Sequence, residues 1–314
     1  MPQRFAQISD PHLSSLEQVR ARDLLNKRVL GYLSWRRKRR FEHRPEVLQA
    51  LQRNLELTQL DQLLITGDLT HIGLPSEFRQ AGEWLRQLGD ARQIALVPGN
   101  HDSCVRADWK QTYALWQDYM ASDETVVQGD VAQTFPSLRI RGQLAFIGLS
   151  TACPKPPLMA TGTADSQQLR RLPGLLEQCA GQGLFRVLYL HHCPLPGLEK
   201  WRKRLTNAGA VHDIIAQCGA ELVLHGHGHR AHFHEMATRD GVVPVIAVPS
   251  ASALGLHGAD TASYNRYSVE RDSEGWQLLI EARCYDPESN AFTPGERREL
   301  AIRRPALPPS PGNP

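Results

Sequence analysis

Five short apolar runs in this chain each stop abruptly in residues that bind protons or metals. This repeated junction constrains the fold more than any other feature. Phe5-Ala6-Gln7-Ile8 runs into Ser9-Asp10-Pro11-His12, and Leu63-Leu64-Ile65 into Thr66-Gly67-Asp68. Ile94-Ala95-Leu96-Val97 runs into Pro98-Gly99-Asn100-His101-Asp102, and Val187-Leu188-Tyr189-Leu190 into His191-His192. Leu222-Val223-Leu224 runs into His225-Gly226-His227-Gly228-His229. Short apolar runs followed by turn signals read as buried strands. Helical patterns lie between the first three. Segment 45–60 places Val47, Leu48, Leu51 and Leu55 on one face, with Pro45 suited to a first turn, and 76–88 does the same with Phe78, Ala81, Leu85 and Leu88. Strands alternating with helices predict an α/β architecture.

The later part changes character. Segments 231–236, 242–248, 264–271 and 276–285 are strand-like runs separated by turns, and they predict a hairpin-rich second sheet. At 314 residues, 41% hydrophobic and 22% charged, the chain can bury a core without disulfides. That core is expected to span 1–302; the proline-rich end, 303–314, reads as a disordered tail. The most apolar window, 242–256, is broken by Pro244 and Pro249, so nothing approaches the ~20 apolar residues of a membrane helix. The six cysteines form no C-x-x-C pair and the start lacks the pattern of a secretory leader, which together predict a reduced, cytoplasmic protein.

The strand ends carry the chemistry, because ligands gather at the carboxyl ends of strands in α/β proteins. Carboxylate, amide and imidazole groups there suit divalent metals such as manganese, iron or zinc. Cysteine is absent from these ends except for Cys193, which argues against a structural zinc site. Alone, Asp-x-His is mostly a turn and Gly-Asp a cap, whereas Gly-Asn-His-Asp is a rarer string and His-Gly-His-Gly-His is the strongest single piece, its glycines letting the backbone approach closely. All five in order, each after a strand, predict a metal site.

Asp10-Pro11-His12, Gly67-Asp68, Gly99-Asn100-His101-Asp102, His191 and Gly226-His227-Gly228-His229 together resemble the calcineurin-like metallophosphoesterase superfamily. The resemblance spans about Arg4 to Tyr285 and implies a four-layer αββα sandwich, two mixed β-sheets flanked by helices. It implies two divalent ions, one held by Asp10, His12 and His229 and the other by Asn100, His191 and His227, with Asp68 bridging. Hydroxide shared between the ions would attack phosphorus, with His101 near the leaving oxygen as proton donor or charge stabiliser. Asp102 would orient His101 or its loop, or serve only the turn. His192 competes with His191, and His225 with His227. The family pattern selects His191 and His227, leaving His192 and His225 as supporting residues.

Within the superfamily, Val97-Pro-Gly-Asn-His-Asp102, Leu190-His-His-Cys-Pro-Leu-Pro196 and Leu205-Thr-Asn-Ala-Gly209 are most similar to the class III cyclic nucleotide phosphodiesterase branch. That similarity implies a phosphodiesterase acting on a small phosphoester. Segment 17–43 departs from the pattern. It lies where a short linker would serve, and it holds Leu24, Leu25, Val29, Leu30, Tyr32, Leu33 and Trp35 at roughly helical spacing before Arg36, Arg37, Lys38, Arg39 and Arg40. From Arg20 to Arg40 the net charge is +8, in a chain totalling +3. Three readings stand for it: a helix packed on the body, a segment meeting anionic membrane through Trp35 and the basic cluster, or a nucleic-acid contact, the last disfavoured because no nucleic-acid module accompanies it. The membrane reading would make the protein peripheral at the inner membrane face, acting on a nucleotide-sugar lipid as UDP-diacylglucosamine pyrophosphohydrolases do. A non-catalytic scaffold is a third function class, disfavoured because a scaffold has no need of seven intact ligand types.

Overall fold

The computed structural model describes residues 2–13, 15–56, 58–123 and 129–303. The proline-rich end lies outside them, except Arg303, which closes the last strand. Twelve strands run in order: β1 (Gln3–Ile8), β2 (Gln62–Ile65), β3 (Ile94–Leu96), β4 (Ser137–Arg141), β5 (Leu144–Leu149), β6 (Phe185–Leu190), β7 (Leu222–His225), β8 (His232–Thr238), β9 (Gly241–Ala247), β10 (Ser263–Arg271), β11 (Gly275–Asp286) and β12 (Ala291–Arg303). They form two six-stranded sheets, ordered β12-β11-β10-β1-β2-β3 and β4-β5-β6-β7-β9-β8. Both are mixed. β1, β2 and β3 are parallel, with β10 antiparallel to β1; β5, β6, β7 and β9 are parallel, with β4 and β8 antiparallel at the edges.

The expected α/β sandwich is present, with one difference in pairing. The strands after Ala231 do not form a sheet of their own. β8 and β9 extend the second sheet, while β10, β11 and β12 return to the first. Period-two patterning sets strand character, whereas the pairing partner is chosen by contacts far away in sequence. The sheets pack face to face through Phe5, whose ring lies 5.2 Å from Phe146 and stacks 4.7 Å from Tyr267, and through Phe185 against Trp276 at 5.6 Å. Gln7, buried between the sheets, donates to the His225 carbonyl at 2.8 Å and so ties the ends of β1 and β7. Helices Pro45–Glu56 and Pro75–Leu88 bury Val47, Leu48, Leu51, Leu55, Phe78, Ala81 and Leu85 in the core of the first sheet. Helices Ser166–Gly181 and Ala208–Cys218 bury Leu172, Leu176, Val211 and Ile215 with Ile147, Leu188 and Val223 of the second.

The insertion forms one helical run, Arg28–Ser34 continuing through a π turn at Trp35–Arg39 into Arg40–Glu42. It is pinned to the body. A methyl group on Gly31 would lie 2.5 Å from Ile72, so the helix sits flush on that side chain. Arg28 donates to the carbonyls of Ile72 at 3.0 Å and Gly73 at 2.5 Å. Trp35, expected among membrane-facing residues, is 4% exposed and packs with Leu16, Ile72 and Leu74. Its indole is therefore shielded from any headgroup, because Ile72 and Leu74 offer it an apolar seat on the body. Leu25, Val29, Leu30, Leu33 and Phe41 remain exposed, as do Arg36, Arg37, Lys38 and Arg40. Among the described residues no helix is long and apolar enough to cross a membrane.

Candidate metal centre

The parallel strands β1, β2 and β3 of one sheet and β6 and β7 of the other direct their carboxyl ends to one edge of the sandwich, and each expected ligand follows one of them. The turns there are tight. Seven non-glycine residues among those described have positive φ, and five are Asp10, His12, Asp68, His227 and His229. Left-handed backbone costs such residues on the order of 1–3 kcal/mol each and persists where surrounding structure over-determines it, as at functional sites. The glycines of the motifs make room for this. A Cβ on Gly99 would lie 2.1 Å from Asp68 Oδ1, and one on Gly226 would lie 2.7 Å from Asp10 Oδ2.

The side chains converge in two groups. Asp10 is fully buried, accepts the His227 backbone N–H at 3.0 Å and lies 3.1 Å from His229 Nε2. His12 Nδ1 donates to the Thr70 carbonyl at 2.9 Å, which fixes the tautomer and leaves the lone pair on Nε2. That Nε2 is buried without a hydrogen-bond partner, as is His227 Nε2. His191 Nδ1 donates to the Thr66 carbonyl at 2.6 Å and turns Nε2 toward Asp68 Oδ2 at 3.3 Å and Asn100 Oδ1 at 3.2 Å. Asp10, Asp68 and His191 present ligand atoms within 4.8 Å of one another. Asp68 also accepts the His101 N–H at 2.7 Å, which links the loops after β2 and β3.

The electrostatics fit cations. Burial pushes the Asp10 carboxyl up, but the imidazoles of His229 and His191 and the Ser9 hydroxyl outweigh it and hold it well below the usual carboxylate range. Burial holds His12 and His227 well below the usual imidazole range, so both rings are neutral donors of a lone pair. His191 is the exception: burial lowers it, but Asp68 outweighs burial and carries it to about 9. Without a metal the carboxylates thus draw a proton to the nitrogen that faces them. A divalent cation would take that same position among Asp68, Asn100 and His191. Unpartnered buried Nε2 atoms beside two carboxylates are a donor set that metal ions satisfy.

His192 lies near His191 and His227, yet both its nitrogens are engaged. Nδ1 meets Thr151 Oγ1 at 2.8 Å and Nε2 the Ala160 carbonyl at 3.2 Å, so it buttresses the site. His225 closes β7 with its Nδ1 3.2 Å from the Gly226 carbonyl, apart from the two clusters. Asp102 does not touch the His101 ring. It is 3% exposed and accepts the backbone N–H groups of Asp68, Thr70 and Gly99 and the Thr70 hydroxyl at 2.9–3.0 Å, which clamps the two loops together.

Three residues had no sequence signal. Arg39, expected in the basic surface cluster, turns inward and places Nη1 3.0 Å from His101 Nδ1. His43, at the end of the insertion, packs 4.4 Å from His12 and 5.6 Å from His229 between ring centroids. His71 stacks on His12 at 5.0 Å. A lone histidine and one arginine among five basic residues carry nothing in their spacing that separates them from surface residues. Arg39, His43, Asp68, Asn100, His101, His227 and His229 all line one open cavity of about 800 Å³, ringed also by Lys38, Lys200, Lys203 and Arg230.

The family model of the calcineurin-like phosphoesterases matches residues 3–231. Among solved structures the chain is similar to a dimetal phosphatase from Danio rerio, at 13% identity and a TM-score of 0.58, over 97% of this chain and 100% of that one. It also resembles an NAD nucleotidase from Haemophilus influenzae, at 11% identity and a TM-score of 0.46, over 96% of this chain and 54% of that one. No curated protein matches. With the family model covering most of its length and the five motifs gathered at one edge, the chain belongs to the calcineurin-like phosphoesterases, phosphoric ester hydrolases that work with divalent metal ions.

Proposed function

We propose that the protein is a binuclear metal-dependent phosphohydrolase of phosphodiesterase type. The observation that carries this reading is the convergence of buried Asp10, His12 and His191 with Asp68, Asn100, His227 and His229, the last four of which line one basic-rimmed cavity. Asp10, His12 and His229 would hold one cation, Asn100, His191 and His227 the other, and Asp68 both. Bound divalent cations supply Lewis acidity, lowering the pKa of water and neutralising charge on phosphoryl oxygens. The chain's own residues do the rest. Thr66 and Thr70 carbonyls fix the imidazole tautomers, Asp102 holds the ligand loops in register, and the rim cations attract the anionic ester.

His101 is the proton donor in this reading, and its Nδ1 stands between two groups that call for opposite tautomers. Nδ1 of His101 lies 2.6 Å from the His71 carbonyl and 3.0 Å from Arg39 Nη1. The carbonyl requires a proton on Nδ1; the guanidinium, which only donates, requires a lone pair there. The closer carbonyl favours the proton on Nδ1; the Nε2–H form, which hands a proton to a leaving oxygen, is reached when that contact is given up and Arg39 donates to Nδ1. The test is a substrate panel with manganese added to stripped protein, comparing cyclic nucleotides, aryl phosphodiesters, phosphomonoesters and nucleotide-sugar lipids. Turnover of none refutes the phosphohydrolase; turnover of monoesters alone refutes the diesterase.

A second reading is a membrane-surface pyrophosphohydrolase acting on a lipid-linked nucleotide sugar. The observation that favours it is the outer face of the insertion, where Leu25 is 84% exposed and Leu33 and Phe41 stand beside Arg36, Arg37 and Arg40. Apolar side chains flanked by cations suit an anionic bilayer interface. Co-sedimentation with anionic and neutral vesicles, for wild type and for a variant with Arg36, Arg37, Lys38 and Arg40 changed to Gln, decides this. Equal sedimentation of both proteins removes it.

A further inference from the structure

The insertion delivers His43 to the metal-binding floor. His43 is 8% exposed, and it lies outside the family pattern carried by the five strand-end motifs. His12, His43 and His229 each present a ring nitrogen within 4.8 Å of the other two. The backbone that holds His43 is stapled to the segment after β9. His43 pairs with Ala253 in an isolated bridge, Arg44 donates to the Ser252 carbonyl at 2.9 Å, and buried Glu42 accepts the N–H groups of Gly255 and Leu256.

The hydrogen bonds around the ring admit a tautomer in which Nε2 is free. Ser250 Oγ donates to the Asp10 carbonyl at 2.6 Å, which commits its proton. Ser252 Oγ lies 3.3 Å from Ser250 Oγ and 2.9 Å from His43 Nδ1. A consistent chain then runs from His43 Nδ1–H to Ser252, from Ser252 to Ser250, and from Ser250 to Asp10. It leaves the lone pair of His43 on Nε2. This is the arrangement that supports metal-bound histidines elsewhere, the second ring nitrogen donating to an oxygen that sets tautomer and orientation. Here the supporting chain ends on the backbone of Asp10, itself assigned to the same ion.

We propose that His43 Nε2 is an additional protein ligand of the cation held by Asp10, His12 and His229. The proposal rests on the reading of the site as a metal centre. The three ring nitrogens already lie within 4.8 Å of one another, so side-chain adjustments on the order of 1 Å would let His12, His43 and His229 hold one cation together. His43 lines the cavity and packs 4.4 Å from His12, whose own Nε2 is buried without a hydrogen-bond partner. The insertion then completes the metal centre as well as covering it.

The test needs no substrate. The full chain is stripped with chelator and titrated with Mn²⁺ by calorimetry, and bound metal is counted by mass spectrometry. A Co²⁺-loaded sample is read for its visible d–d bands. His43→Ala should weaken one of two binding events at least ten-fold and alter the cobalt spectrum, leaving the other event as in wild type. Ser252→Ala, which frees the ring without removing it, should weaken that same event by less than His43→Ala does. Melting of the stripped proteins checks folding. Should the alanine variant not fold, His43→Gln keeps the Ser252 contact and carries the same comparison. Isotherms and cobalt spectra identical to wild type would overturn this assignment while leaving the metal centre standing. Wild-type protein that takes up no metal would overturn both.

Discussion

Replacing Trp35 with alanine tests whether the insertion is part of the catalytic body or a detachable surface element. The indole is 4% exposed against Leu16, Ile72 and Leu74, a cluster separate from the two main cores. Truncating a buried Trp to Ala costs about 3–5 kcal/mol. Because this cluster is local, the cost should fall on docking of the 28–42 run and not on global unfolding. At about 1.4 kcal/mol per factor of ten, the open population should rise roughly 100- to 3,000-fold. Residues 36–40 are five consecutive tryptic sites, so limited trypsinolysis reads that population directly while opening is fast relative to cleavage. We expect cleavage there to accelerate by at least about 100-fold. Turnover should fall once the open form becomes the major one, since Arg39 and His43 leave with the helix. Gly31→Leu, which must displace Ile72, should reproduce the effect. Unchanged cleavage at 36–40 together with full turnover in both variants would refute the docking argument. Loss of the whole thermal transition would instead place the cluster inside the global core.

Three further outcomes are expected. Asp68→Ala should abolish phosphohydrolase activity and reduce bound metal, and full turnover with undiminished metal would contradict its bridging role. His101→Ala should keep its metals yet lose turnover most for esters with poor leaving groups, and Arg39→Met should show the same leaving-group dependence more weakly; equal losses on activated and unactivated esters would point to charge stabilisation instead. Glu221→Ala strips a bidentate partner, at 2.8 and 2.9 Å, from Arg186, whose side chain is 2% exposed. Leaving that guanidinium to the Cys218 carbonyl at 2.8 Å and Asp240 at 3.6 Å should cost about 3–5 kcal/mol and lower Tm by roughly 5–8 °C without changing turnover. A calorimetric shift under about 2 °C would argue against that pair as a buried one.

Much of the site was legible in the chain because its signals are local. An apolar run, a turn residue and a ligand lie within a few positions at Ile8–Asp10, Ile65–Asp68, Leu96–Asn100, Leu190–His191 and Leu224–His227, and the parallel sheet gathers those ends at one edge. The glycines of the motifs were likewise readable, since Gly99 and Gly226 stand where a side chain would strike Asp68 or Asp10. Sheet membership was not legible: β10 and β11 look like neighbours of β8 and β9, yet β10 pairs with β1 across the length of the chain, and β12 was not read as a strand at all. Nor were Arg39 and His43. Their neighbours in sequence are solvent-facing cations, and their partners, His101 and Ser252, lie 62 and 209 residues away. Trp35 shows the same division. Its spacing announces a helix with an apolar side, but whether that side meets lipid or protein depends on Ile72 and Leu74 arriving beneath it. Periodicity and turn chemistry are written residue by residue; which surfaces meet is decided only when the whole chain competes to bury its apolar area.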